Sequence, residues 1–239
     1  MSDDPSQTST EYARLLSLAV HELRTPLSVV SGYLRMLRDS TATGGDPGAR
    51  QRKMVDDAEK ACRRLASLIE ELSDLGRLDA GTAAVAVESF DVFALVRDVA
   101  ATLPAVSDDE ARLDVRGPDS GGRLRGDKAR LRAAFACIMR AVRREHESPA
   151  TVVADARLAT LDGSPVALIV VALEGEIEWA RDAPRAPLNE TRGGLGLGLP
   201  VARRVVSRFG GSLWSPVATD DDPCRRVSSA FVMVLPLAD

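Results

Sequence analysis

Two runs of apolar residues spaced by threes and fours, separated by a stretch that no helix would keep, limit what this chain can fold into more than any other feature. From about Tyr12 to Arg38, the residues Leu16, Val20, Leu23, Leu27, Val30, Leu34 and Leu37 form one stripe of an amphipathic helix. A second stripe passes through Met54, Ala58, Ala61, Leu65, Leu68, Leu72 and Leu75 in alternating steps of four and three, the spacing of a heptad seam. Between them TATGGDPG, Thr41 to Gly48, reads as a hairpin turn. The order helix, turn, helix predicts an antiparallel pair. Each helix covers one flank of its stripe against the other and leaves the second flank wet. Association with a second copy into a four-helix bundle is the economical way to cover it, so a homodimer through residues 12–82 is expected. A monomeric hairpin packed on the rest of the chain is the alternative.

After DAGTA, Asp79 to Ala83, the pattern changes to short β-rich runs, VAVESF and VALIVVAL, mixed with helical stretches around Val92 to Leu103 and Lys128 to Arg144. The last part carries a helix over Leu199 to Phe209, then strands at Ser212 to Ser215 and Ser228 to Leu235. The polar segments Ser107 to Gly122 and Thr219 to Arg226 read as surface loops. The expected organisation is a polar tail at 1–11, a helical domain at 12–82 and an α+β domain at 83–239.

Composition excludes several classes of function. With 45% hydrophobic residues among 239 the chain can bury a core, and a net charge of −4 gives no general attraction to nucleic acid or anionic lipid. No apolar run reaches membrane-spanning length and no secretory apolar region follows the polar start, so no membrane insertion is expected. Cys62, Cys137 and Cys224 are an odd, widely spaced set without a C-x-x-C pair, and only two histidines are present. That usage points to a reduced, cytoplasmic setting and to no metal site built from these residues.

His21 lies beside the first apolar stripe rather than in its centre, next to Glu22 and ahead of Arg24, Thr25 and Pro26. An exposed imidazole beside a carboxylate can be held neutral with one nitrogen free, as a phosphoryl-accepting nucleophile requires near neutral pH. Pro26 removes one helical hydrogen bond just below it. On these features alone, a surface histidine on a bent helix is the simpler reading.

The full string LAVHELRTPLSVVSGYL, Leu18 to Leu34, resembles the phosphoacceptor H-box of sensor histidine kinases, and ELSDLGRLDAG, Glu71 to Gly81, resembles the family's passage from the second helix to its ATP-binding domain. The resemblance implies that His21 is the phosphorylation site, that Glu22 assists proton removal, and that Thr25 positions a water for dephosphorylating a partner response regulator. GGLGLGLPVARRVV, Gly193 to Val206, with RFGGSLW after it, resembles the family's second glycine box. The fold implied is an antiparallel helical hairpin forming a dimeric four-helix bundle, followed by an α/β-sandwich of the GHKL ATPase type. Gly175, Gly194, Gly196 and Gly198 are then the candidate nucleotide-phosphate residues, ATP with Mg²⁺ is the implied cofactor, and a response-regulator receiver domain is the implied partner. An upstream sensor would reside on another chain.

Two departures fall on the implied nucleotide site. GDKARLRAAFACIMRAVRRE, Gly126 to Glu145, matches the frame of the family's N-box, but its asparagine positions hold Cys137 and Ala141, and neither supplies an amide oxygen for a hard cation. In VVALEGEIE, Val170 to Glu178, Leu173 takes the place of the adenine-reading aspartate and Ile177 that of the second glycine; a one-residue shift would offer Glu174 instead. Arg140, Arg143 and Arg144 either meet phosphates without a metal or form a solvated basic face. The lid-like stretch Trp179 to Arg192 has prolines but no Phe pair. This pattern favours a histidine phosphotransferase or regulator phosphatase with a degenerate ATP site. The alternatives are an active ATP-dependent kinase and a non-catalytic scaffold.

Overall fold

The computed structural model describes residues 5–41, 48–104, 111–186, 188, 190, 196–216 and 230–238. The chain divides into two compact units, Met1–Gly76 and Arg77–Asp239.

The first unit holds α1 (Pro5–Thr41) and α2 (Ala49–Asp79), whose last turn enters the second unit. Tyr33 donates to Asp57 at 3.2 Å and Glu22 faces Arg64 at 3.7 Å, so positions rising along α1 meet positions falling along α2 and the hairpin is antiparallel. α1 runs on through Pro26, which is buried. Met54, Ala58, Ala61, Leu68 and Leu75 of the second stripe are buried. Among the described side chains of α1, Leu15, Ala19 and Pro26 are buried, whereas Leu16, Val20, Leu27 and Leu34 are exposed. The apolar band on α1 is therefore wider than the predicted stripe. The hairpin covers one edge of it, and much of the stripe itself lies on the other edge. Most of the predicted turn, 42–47, lies outside the described residues.

The second unit contains β1 (Val87–Asp91), α3 (Val92–Thr102), β2 (Arg112–Arg116), β3 (Arg123–Asp127), α4 (Lys128–Arg144), β4 (Thr151–Leu161), β5 (Ser164–Leu173), α5 (Ile177–Asp182), β6 (Arg185–Ala186), α6 (Gly198–Arg208), β7 (Ser212–Pro216) and β8 (Phe231–Pro236). β1 pairs with β3, and the main sheet has the order β2-β4-β5-β8-β7-β6. Among the described strands, only β2 and β4 run parallel. β4 and β5 are joined by Asp162-Gly163, both at positive φ, the conformation that a two-residue hairpin turn requires.

Strand alternation sorts the sheet into two buried faces. Ala167, Ile169 and Val171 of β5, with Phe231, Met233 and Leu235 of β8, pack with α3, α4 and α6 in the main core. Val166, Val170 and Ala172, with Val232 and Val234, face a second cluster closed by Ile177 and Ala180 of α5 and by Trp214. This double coverage explains why β5 reads as a continuous apolar run.

The segment 107–122, expected to be a surface loop, contains the edge strand β2. Its outward Arg112, Asp114 and Arg116 break up the apolar signal of Leu113 and Val115, and edge strands are commonly charged in this way. The segment 219–226 lies outside the described residues. Within the lid-like stretch, Trp179 sits on α5 against the second cluster, and Arg185 and Ala186 pair with β7.

Candidate functional site

The first unit carries the phosphoacceptor-like residues. His21 is exposed on α1, and Thr25, four residues on, is exposed on the same side one turn away. His21 has no hydrogen-bond or ion-pair partner among the described residues. Glu22, adjacent in sequence, lies about a quarter turn round the helix and does not face the imidazole. It is half-buried, with Oε2 3.7 Å from Arg64 Nη2. Arg64 also lies 3.6 Å from Glu71 Oε1, which accepts from Ser67 Oγ at 3.0 Å. A polar chain thus runs across the hairpin behind His21. Farther along, the carboxylate of Asp57 raises the pKa of the Tyr33 hydroxyl, chiefly through its charge and then through the hydrogen bond between them.

In the second unit the positions aligned with metal-binding asparagines do not line an open site. Ala141 is fully buried and Cys137 nearly so, both packed in the main core among the apolar residues of α4 and its neighbours. Among the described residues, no group of three His, Cys, Asp or Glu could hold a metal ion. This donor set does not fit Mg²⁺. Arg143 follows neither of its expected alternatives: it is buried, and its Nε donates to the Ala111 carbonyl at 3.1 Å, tying α4 to the start of β2. Arg140 is half-buried and Arg144 exposed.

Leu173 ends β5 half-buried against the main core, where an apolar side chain belongs. Glu174 is exposed and ion-paired with Arg116 of β2. Gly175 sits in the single 3-10 turn Glu174–Glu176, where an added Cβ would meet open space, so local geometry does not require glycine there. Ile177 is buried in the second cluster. Gly194 lies outside the described residues. Gly196 has φ +64 in the turn entering α6, and Gly198 is the first residue of that helix. Leu197, the N-cap residue of α6, makes no side-chain capping hydrogen bond.

Two arginines had no sequence signal. Arg64 meets Glu22 only because the hairpin register brings α2 beside α1. Arg204 meets Asp79 across 125 residues of sequence. No described helix is long and apolar enough to cross a membrane.

Residues 12–81 match the His Kinase A (phospho-acceptor) domain family. The chain is 32% identical over 214 residues to the probable sensor histidine kinase TcrY of Mycobacterium tuberculosis, covering 82% of this chain and 41% of TcrY. In fold it resembles the histidine kinase AdeS of Acinetobacter baumannii, with TM-score 0.60 at 17% identity, covering 92% of this chain and 98% of the AdeS chain. It also resembles the histidine kinase ThkA solved in complex with the response regulator protein TrrA, with TM-score 0.58 at 11% identity, covering 98% of this chain and 64% of that one. The chain spans between 22% and 45% of the length of the curated relatives it matches. An N-terminal helical hairpin followed by a mixed α/β sheet domain is the GHKL-type arrangement of these kinases. The chain belongs to the sensor histidine kinase family, with its phospho-acceptor domain at residues 12–81.

Proposed function

We propose that this protein exchanges a phosphoryl group between His21 and an aspartate of a response-regulator receiver domain, as a phosphotransferase or regulator phosphatase rather than an ATP-driven autokinase. The observation that carries the reading is the exposure of His21 and Thr25 one turn apart on a helix matched by the phospho-acceptor family. The free imidazole nitrogen attacks the phosphorus of the regulator's acyl phosphate. The N–P bond forms, the P–O bond to the aspartate breaks, and the carboxylate leaves. The proton on the other ring nitrogen passes to solvent or to Glu22, once that carboxylate has turned from Arg64. An acyl phosphate is already activated, so the chain's contribution is positioning. Thr25 holds a water for the competing hydrolysis.

The burial of Cys137 and Ala141 in the core argues against metal-assisted transfer from ATP, because the charge of the transferring group would lack its counter-ion. The turn at Gly196 and the start of α6 beside it favour a second reading, residual nucleotide binding by backbone N–H groups through Gly175, Gly194, Gly196 and Gly198. The reading also includes a homodimer through residues 12–82 and a cytoplasmic location, where receiver domains reside.

The test mixes the full chain with a phosphorylated receiver domain and follows its label. Faster loss is expected, with His21→Ala abolishing transfer to this chain and Thr25→Ala chiefly slowing hydrolysis. Binding with an unchanged phosphoryl lifetime would leave a scaffold. Robust Mg²⁺-dependent labelling of His21 from ATP would restore the autokinase.

A further inference from the structure

We propose that Arg64 is a positioning residue that restrains the base beside His21. Its guanidinium is contested by Glu22 and Glu71, and Glu22 reaches the imidazole only when Arg64 goes over to Glu71. The inference rests on the reading of His21 as a phosphoryl acceptor given above. Arg64 Nη2 lies 3.7 Å from Glu22 Oε2, and Nη1 lies 3.6 Å from Glu71 Oε1. Both distances suit a charge contact but exceed those of a hydrogen bond, so one guanidinium is shared between two carboxylates and holds neither closely. All three side chains are half-buried on the hairpin itself.

Glu71 is the seat into which Arg64 can withdraw. Its Oε1 accepts from Ser67 Oγ at 3.0 Å, which orients the carboxylate, whereas its Oε2 is buried without a hydrogen-bond partner among the described residues. A buried carboxylate oxygen left without a donor is costly, and the planar fork of an arginine can meet both oxygens of one carboxylate at once. Closing on Glu71 in that way takes Nη2 away from Glu22. The freed Glu22, next to His21 in the chain, can then swing round the helix and accept the proton of the second ring nitrogen as the first attacks phosphorus. While Arg64 stays on Glu22, that carboxylate is turned across the hairpin toward α2 and its charge is partly neutralised there. Arg64 and Glu71 therefore act on the reaction with opposite signs: the arginine restrains the base and the second carboxylate releases it.

The experiment follows phosphorylation of His21 in the full chain by phosphoramidate, a donor that needs neither receiver nor nucleotide. The imidazole N–P bond forms, the P–N bond of the donor breaks and ammonia leaves, with the ring proton going to Glu22. Mass spectrometry reads the rate against labelling of His146, which lies in the second unit. Arg64→Gln is expected to speed labelling of His21 about two- to five-fold and Glu71→Gln to slow it by a similar factor, the range a partly exposed ion pair supplies. In a Glu22→Gln background both effects should vanish, because no base is left to restrain or release. A loosened hairpin would move both variants the same way, and would do so with or without Glu22. Effects of the same sign, no effect of Arg64→Gln, or an effect that persists in Glu22→Gln would overturn the proposal. A phosphorylated receiver domain that passes nothing to His21, while the phosphoramidate pattern holds, overturns the exchange with the regulator and leaves the role of Arg64 standing.

Discussion

At the scale of single residues, a few side chains hold the second unit and mark where substitution is informative. Asp91 caps α3 by accepting from the Phe93 and Ala94 N–H groups, and its second oxygen accepts from Gly121 and Gly122. Burial pushes its pKa up, but the four backbone donors outweigh that, and the net direction is down. A carboxyl whose folded pKa lies below its unfolded value adds stability above the unfolded pKa and loses it as pH falls through the folded one. Asp91→Asn should therefore cost about 1–3 kcal/mol at neutral pH, because an amide NH₂ would face two donors, and the gap from the parent should narrow below about pH 4. Urea unfolding of both proteins at neutral and acid pH measures this. Ala141 makes the complementary case. It is fully buried in the apolar core, so Ala141→Asn should not recreate a metal ligand but lower stability by roughly 2–4 kcal/mol, through overpacking and an unmatched amide. Thermal unfolding and nucleotide calorimetry with Mg²⁺ distinguish the two outcomes.

At the scale of elements, what could be read from the sequence follows from how each element is buried. α4 and α6 were legible because one face packs in the core and the period of 3.6 shows, and β8 because both its faces are apolar. β2 was not, since its outward residues are charged, and β4 carries Asp155 buried in mid-strand, held by Arg157, which interrupts any apolar run. At the candidate site His21, Glu22 and Thr25 were legible as a string, but the direction of Glu22 toward Arg64 depends on hairpin register. The glycines show the same limit. Gly175 fits a motif, yet its turn does not need glycine, whereas Gly210 and Gly211 between α6 and β7 are required for different reasons. Gly210 has φ +75, and a Cβ on Gly211 would lie 2.5 Å from the Val234 carbonyl oxygen. Backbone cannot step aside as a side-chain end can, so Gly211→Ala should destabilise the second unit by about 2 kcal/mol or more, read as a lower urea midpoint.

At the scale of the whole molecule, the unanswered demand is the apolar surface that a single chain leaves in water. Val20, Leu27 and Leu34 recur every seven residues on α1 and are 49%, 56% and 58% exposed, and Ile69 on α2 is 59% exposed. A heptad row left open on a hairpin is the face a second hairpin would cover. Leu68, by contrast, is 1% exposed within one chain, so it belongs to the hairpin's own packing. The two positions separate folding from association. Leu34→Glu places a charge where a lone chain already meets water, and should cost the hairpin little while setting like charges against each other across a symmetric interface. Leu68→Glu buries an unpaired charge, at a cost of about 3–5 kcal/mol, and should unfold the hairpin outright. Light scattering with circular dichroism reads both: the parent as a dimer, Leu34→Glu as a helical monomer, Leu68→Glu with much of its helix lost. A Leu34→Glu protein that stays dimeric at micromolar concentration would show that the exposed heptad row is not the face that joins the two copies.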